Sequence, residues 1–287
     1  MSKIPWTGIT VNPWVGCTKV ADGCKNCYAE QMSSRLRAMG HRAYADVIGP
    51  HGKWTGRLGY QMDQLDKLKR MRKSRMVFLG SMSDLFHENV SFDDIAQVET
   101  VIRKCQQHTF QILTKRTQRM YDYFCRWMPN HYPPEMLKIP NLWLGTSIST
   151  QAAADKNIPI LLQIPAAVRF LSLEPMLEQI IIPVEYLGKE VETGLGKGRE
   201  KYLTDEQFIS GDYPDYFLDW VIIGCESGPK RRPCKLEWVE DAVRQCTKAG
   251  VSVFVKQLEI NGKVSHNPKE WPEWAQRQEY PEEATNG

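Results

Sequence analysis

The chain is 287 residues long, with 42% hydrophobic and 25% charged residues and 37 Lys and Arg against 34 Asp and Glu, a formal net charge of +3. That composition excludes a disordered chain, and the near balance of charge names no nucleic-acid partner by itself. The longest apolar run, Ile158 to Leu173, is broken by Pro159, Gln163, Pro165, Arg169 and Ser172, so no segment of about 18 apolar residues is available to span a bilayer.

No apolar stretch follows Met1-Ser2-Lys3-Ile4-Pro5-Trp6, which predicts a cytoplasmic protein with no membrane partner. A first strand is expected within Gly8 to Trp14. Beyond residue 75 a plan repeats, in which a short β-branched or aromatic run ends in polar residues and gives way to helix or loop. The runs are Met76–Ser81, Thr109–Lys115, Leu142–Ser147, Val168–Glu174, Trp220–Glu226 and Val251–Lys256, and they read as buried strands.

A helix is predicted from Asp93 to Gln107, where Ile95, Val98, Ile102 and Cys105 recur at helical spacing and Ser91 with Asp94 forms an N-cap. A second is predicted from Leu236 to Ala249, with Gly250 as its stop. Alternating strand and helix predict an α/β fold of six or seven parallel strands. A (β/α) barrel or partial barrel is preferred over a doubly wound open sheet, which shares the pattern. Within residues 1–266, the charged, Gly-rich stretch 182–219 reads as an insertion or lid. Residues 267–287 read as a loosely attached polar tail.

Both candidate folds place ligands at the carboxyl ends of their strands. The polar residues expected there are Ser83, Asp84, Lys115, Arg116, Ser147, Ser149, Glu174, Glu226, Ser227, Lys256 and Gln257. An unpaired carboxylate at the rim of a core is costly, so Glu174 and Glu226 should each have a partner, such as Lys115, Arg116 or Lys256, or a ligand cation.

The strongest local signal is Cys17, Cys24 and Cys27, a C-x6-C-x2-C cluster after the first strand. Eight cysteines in a reducing setting are not expected to pair as structural disulfides, and clustered thiolates suit iron–sulfur clusters and zinc. A structural zinc needs four ligands, and Cys225, Cys234, His87 or His108 are candidates for the fourth. A [4Fe-4S] cube held by three leaves one iron open. Two basic clusters stand out, Lys67 to Arg75 and Lys230 to Lys235. The first reads as a solvated face; the second follows Glu226 closely enough to meet a phosphate backbone.

The strings Asn12-Pro13-Trp14-Val15-Gly16-Cys17, Gly23-Cys24-Lys25-Asn26-Cys27-Tyr28, Gly80-Ser81-Met82-Ser83-Asp84, His108 through Arg116, Arg169 through Pro175 and Gly224 through Pro229 occur in this order. Together they resemble a phage- and prophage-associated family marked by a three-Cys motif and similar to radical S-adenosylmethionine proteins. The chain departs from that family at Ile148-Ser149-Thr150, where a Val-Glu-Asn string is usual, and its cysteine spacing differs from the C-x3-C-x2-C of most radical S-adenosylmethionine enzymes.

The resemblance implies a [4Fe-4S] cluster on Cys17, Cys24 and Cys27 with S-adenosylmethionine at the open iron. Position then assigns Ser81, Ser83, Asp84, Ser147, Ser149 and Arg116 to cofactor binding, and Lys115, Glu174 and Glu226 to catalysis. An electron donor, a nucleic-acid substrate and a phage-encoded protein are the implied partners. The competing expectation is a non-catalytic, zinc-stabilised protein that binds nucleic acid or recruits a partner.

Overall fold

A computed structural model of the chain describes residues 4–187 and 217–281. The predicted first strand is divided into β1 (Ile9–Val11) and β2 (Trp14–Val15). Pro13 separates them because it has no N–H to give a ladder, and β2 turns aside to pair antiparallel with β3 (Gly59–Tyr60).

The main sheet contains β1, β4 (Met76–Leu79), β5 (Thr109–Thr114), β6 (Leu142–Ser147), β7 (Val168–Leu173), β8 (Trp220–Gly224), β9 (Ser252–Ile260) and β10 (Lys263–Ser265). They lie side by side in chain order, parallel from β1 to β9, with β10 added antiparallel as a hairpin. The order never reverses, so the sheet lacks the switch point that defines a doubly wound fold. It is open, with β1 and β10 at its edges.

Alternation along the strands gives the sheet two apolar faces. On one, Val77, Ile112, Leu144, Leu171, Ile223 and Val255 join the large core beneath the helices. On the other, Phe78, Trp143, Phe170, Trp220 and Phe254 converge with Trp6 into an aromatic cluster. Gly145 permits this packing, since a Cβ there would lie 2.5 Å from the Phe170 ring.

The helices are α1 (Tyr28–Ala38), α2 (Gln64–Arg70), α3 (Phe92–Lys104), α4 (Thr117–Tyr121), α5 (Gln151–Leu162) and α6 (Leu236–Lys248). Ser91 caps α3 as predicted, its Oγ accepting from Asp94 N at 3.0 Å. The helix ends earlier than its periodicity suggests. The Asn141 side chain donates to the carbonyls of Ile102, Cys105 and His108, satisfying a turn there instead.

Of the expected insertion, residues 188–216 lie outside the described residues; Leu187 and Leu218 at its flanks bridge each other and are buried. Residues 267–281, read as a loose polar tail, are bound to the sheet. Val255 N donates to Arg277 O at 2.8 Å and Glu279 N to Val253 O at 2.9 Å, while Trp271 and Ala275 are buried and Tyr280 packs on Trp220. A few apolar anchors and backbone pairing outweigh the polar composition of the segment. Among the described residues, no helix is long and apolar enough to cross a membrane.

Candidate functional site

The cysteine loop lies across the carboxyl edge of the sheet, and each stretch of it is tied to a different strand end. Asn12 begins the attachment after β1, its Oδ1 accepting from Met82 N at 2.8 Å and from Ser81 Oγ at 3.2 Å. Gly16 then pairs with the loop after β4, so Cys17 emerges beside Ser83. A 3-10 turn, Asp22–Cys24, passes over β6 and β7. A Cβ on Gly23 would lie 2.3 Å from Ser149 Oγ and 3.3 Å from both Lys115 Cε and Pro175 Cδ, so only glycine fits there.

Cys27 stands at the amino end of α1, and the next residue, Tyr28, donates its hydroxyl to Ser81 O at 2.6 Å. Buried Glu30 closes the loop by accepting from Lys19 at 2.8 Å, Lys53 at 3.3 Å and Trp54 N at 3.1 Å. Burial alone would raise its carboxyl, but these donors hold it below the usual carboxylate range.

On the β5 side the site is organised by Asp84. Its carboxylate accepts from Thr114 Oγ1 at 2.7 Å, Lys115 N at 3.2 Å, Phe86 N at 3.0 Å and Arg116 Nη1 at 3.0 Å. Arg116 also pairs with Glu88 at 2.7 Å, donates to Thr18, and brings Nη1 to 3.7 Å from Cys17 Sγ. Burial and the Asp84 charge push the Cys17 thiol up to about 12, against the opposing pull of Arg116. The Cys27 thiol is raised by burial, with a smaller contribution from Cys24, while the N–H groups of Glu30 and Ala29 oppose the rise.

The β8 side is held by Glu226. Its Oε2 accepts from Asn26 Nδ2 at 3.0 Å, Arg232 N at 2.7 Å and Arg232 Nε at 3.0 Å, and its Oε1 accepts from Arg232 Nη2. Arg232 reaches on to Asp22 O at 2.9 Å, and Asn26 to Lys230 O at 2.8 Å. Burial would raise the Glu226 carboxyl, but Arg232 and Asn26 hold it below its ordinary value.

Between these flanks, Lys115 Nζ donates to Ser147 Oγ, which donates to Glu174 O at 3.0 Å, and Lys256 pairs with the Glu174 carboxylate. Ser83 and Ser149 have buried hydroxyls with no hydrogen-bond partner among the described residues. Unpaired buried hydroxyls are costly, and these two lie beneath the loop, where each is free to hydrogen-bond a polar group.

The predicted site residues therefore fall into three groups: Cys17, Ser81, Ser83, Asp84 and Arg116 on one flank, with Cys27 beside Tyr28 at the start of α1; Lys115, Ser147, Ser149 and Glu174 in the middle, under the turn that carries Cys24; Glu226 on the other flank. Glu174 has the predicted Lys256 partner. Glu226 has instead Arg232, from the basic run Lys230 to Lys235 expected to meet a phosphate backbone, and Asn26, from inside the C-x2-C. Arg232, Asn26 and Tyr28 thus join the site beyond the residues expected from the sequence. A rim carboxylate with basic residues five to six positions later is the pattern that would have found Arg232.

Cys17, Cys24 and Cys27 are all free and half-buried. Among the described residues, no three His, Cys, Asp or Glu side chains are already arranged to hold a metal ion. Of the proposed fourth ligands, His108 sits before β5, at the opposite edge, with Nε2 3.2 Å from Leu68 O. Cys225 and Cys234 belong to the helix-side core. His87 alone approaches the loop, its Nε2 3.1 Å from Thr18 Oγ1, with burial lowering its pKa. The basic run Lys67 to Arg75 leads into the start of β4, at the edge away from the cysteines.

The chain belongs to the family described as "Protein of unknown function (DUF5131)", which matches residues 1–279. No curated protein and no solved structure matches the chain.

Proposed function

The family match names no activity; from the three-Cys resemblance in the sequence and from the geometry of the site, we propose that the protein is a radical S-adenosylmethionine-type enzyme built on a partial parallel barrel. Cys17, Cys24 and Cys27 hold its [4Fe-4S] cluster. The observation that carries this reading is the course of the loop, which lays three free thiols across the carboxyl edge of a parallel sheet above two unpartnered serine hydroxyls. Cluster and S-adenosylmethionine together, given one electron, supply a 5′-deoxyadenosyl radical, and that chemistry belongs to the cofactors.

The chain's own residues bind, orient and shield. Cys17, Cys24 and Cys27 would hold the cluster, and Arg116, fixed by Asp84 and Glu88, would present its cation to the Cys17 sulfur in its thiolate form. Asp84 has its oxygens engaged and is a positioning residue. Ser83 and Ser149 provide hydroxyls for the nucleoside or methionyl groups, and Lys115, whose Nζ donates to the neutral Ser147 Oγ, offers a positive charge to a carboxylate.

Glu174, held by Lys256, faces the same space and accepts from an amine or ribose hydroxyl. Glu226 clamps the loop. The resemblance adds nucleic acid as the substrate class, approached past exposed Lys25 and Lys230. The test is anaerobic incubation of the reduced protein with S-adenosylmethionine. Formation of 5′-deoxyadenosine, lost in Cys24→Ala, is the expected result; its absence from protein carrying a full cluster would overturn the assignment.

A further inference from the structure

Helix α1 begins at one of the three cysteines and has two contrasting faces. Ala29, Glu30 and Ser33 are buried, toward the small core formed by Val15, Tyr44, Val47, Ile48 and Met82. At about 100° per residue, Tyr28, Met32, Arg35 and Met39 fall within an arc of about 60°, turned away from that core. Their exposure is unusual for their type: Tyr28 is 50%, Met32 42% and Met39 73% exposed.

The charge around the stripe is one-sided. Arg35 lies within the stripe, and the exposed charges of the adjoining loop and turn are Lys25 and Arg42 against Asp22; Arg37 turns to the opposite face, where it donates to Ile48 O at 2.7 Å. Glu30 is buried and neutralised by Lys19 and Lys53. An apolar stripe with a basic rim fits a partner whose own contact surface is apolar and ringed by Asp and Glu. Methionine suits a surface that must release its partner after each encounter, since its flexible thioether adapts to more than one packing.

We infer that this face of α1 docks an acidic one-electron donor protein, so that electrons enter at the Cys27 end of the helix. The inference rests on the cluster reading and deepens it, because the proposed cleavage consumes one electron per turnover that no group in the chain supplies. The donor's cofactor is oxidised by one electron and the cluster reduced by one; no bond forms between the proteins.

The test compares two reductants on the full chain loaded with cluster: dithionite, which needs no docking face, and the hydroquinone of an acidic flavodoxin. The double variant Arg35→Glu/Met39→Glu changes only exposed positions. It should leave the dithionite-driven rate of 5′-deoxyadenosine formation unchanged and raise the flavodoxin concentration for half-maximal rate about tenfold, the order expected for reversing a rim charge and removing an apolar anchor. Raising the salt should weaken the wild type's dependence on flavodoxin in the same direction. Equal flavodoxin dependence in variant and wild type, with dithionite still effective, would overturn the docking face alone. Failure of dithionite to drive cleavage in loaded wild type would overturn the cluster reading and this inference with it.

Discussion

The two ends of the sheet's aromatic face put the same strands to opposite uses. At the amino end, Trp6, Phe170, Trp220 and Phe254 meet edge-on and tilted, and the indole of Trp220 donates to Glu279 O at 2.9 Å. At the carboxyl end, the strands finish in Ser147, Glu174 and Lys256, and Ser83 and Ser149 keep buried hydroxyls without partners. One end is filled by interlocking rings, with the Trp6 Nε1 and Gln111 Oε1 atoms unpartnered among the described residues; the other ends in charged and hydroxyl side chains gathered under the cysteine loop. The contrast separates residues that make the fold from residues that wait for a ligand.

The sharpest way to break the contrast is at the filled end. Trp220→Ala removes a fully buried indole and should cost about 3–5 kcal/mol in urea unfolding, while iron uptake per folded molecule stays at the wild-type level. A loss of iron in step with the loss of stability would mean the two ends are not separate.

Glu226→Ala comes next. It strands Arg232 and Asn26 and releases the cysteine loop from β8, and should cost about 2–3 kcal/mol by the same measurement. Unlike the tryptophan change, it should also slow iron uptake by the folded protein.

Acid should act on this clamp in a predictable direction. The Glu226 carboxyl is held below its ordinary value in the folded protein, so its contribution is complete above the unfolded carboxylate range near pH 4.3 and is lost as pH falls through the folded value. The difference in urea midpoint between wild type and Glu226→Gln should therefore shrink between pH 6 and pH 3. A constant difference would place the clamp's energy elsewhere. Ser149→Ala should have the smallest effect on stability, within about 0.5 kcal/mol, because its hydroxyl has no partner to lose. It should weaken S-adenosylmethionine binding about tenfold in equilibrium dialysis.

The same division governs what could be read in the sequence. Six strands and the Ser91 cap of α3 were legible because continuous apolar runs and a Ser-x-x-Asp pattern are local signals. The split between β1 and β2 at Pro13 was not, since the partner of β2 is β3, more than forty residues away. Residues 267–281 read as a tail because the three anchors Trp271, Ala275 and Tyr280 are sparse among charges, and their burial depends on strands met only in the fold. In the site, the cysteines and the strand-end residues were visible by type and position. The Glu226 clamp was hidden because Asn26 and Glu226 are 200 positions apart in the chain.

The central claim is that three thiolates hold an iron–sulfur cube over the open end of the sheet. Iron, acid-labile sulfide and zinc measured in protein purified or reconstituted without oxygen test it most directly, with Cys24→Ala alongside. About four irons and four sulfides per chain, lost in the variant, are the predicted result. One zinc per chain with no sulfide, or iron that survives removal of Cys24, would contradict it.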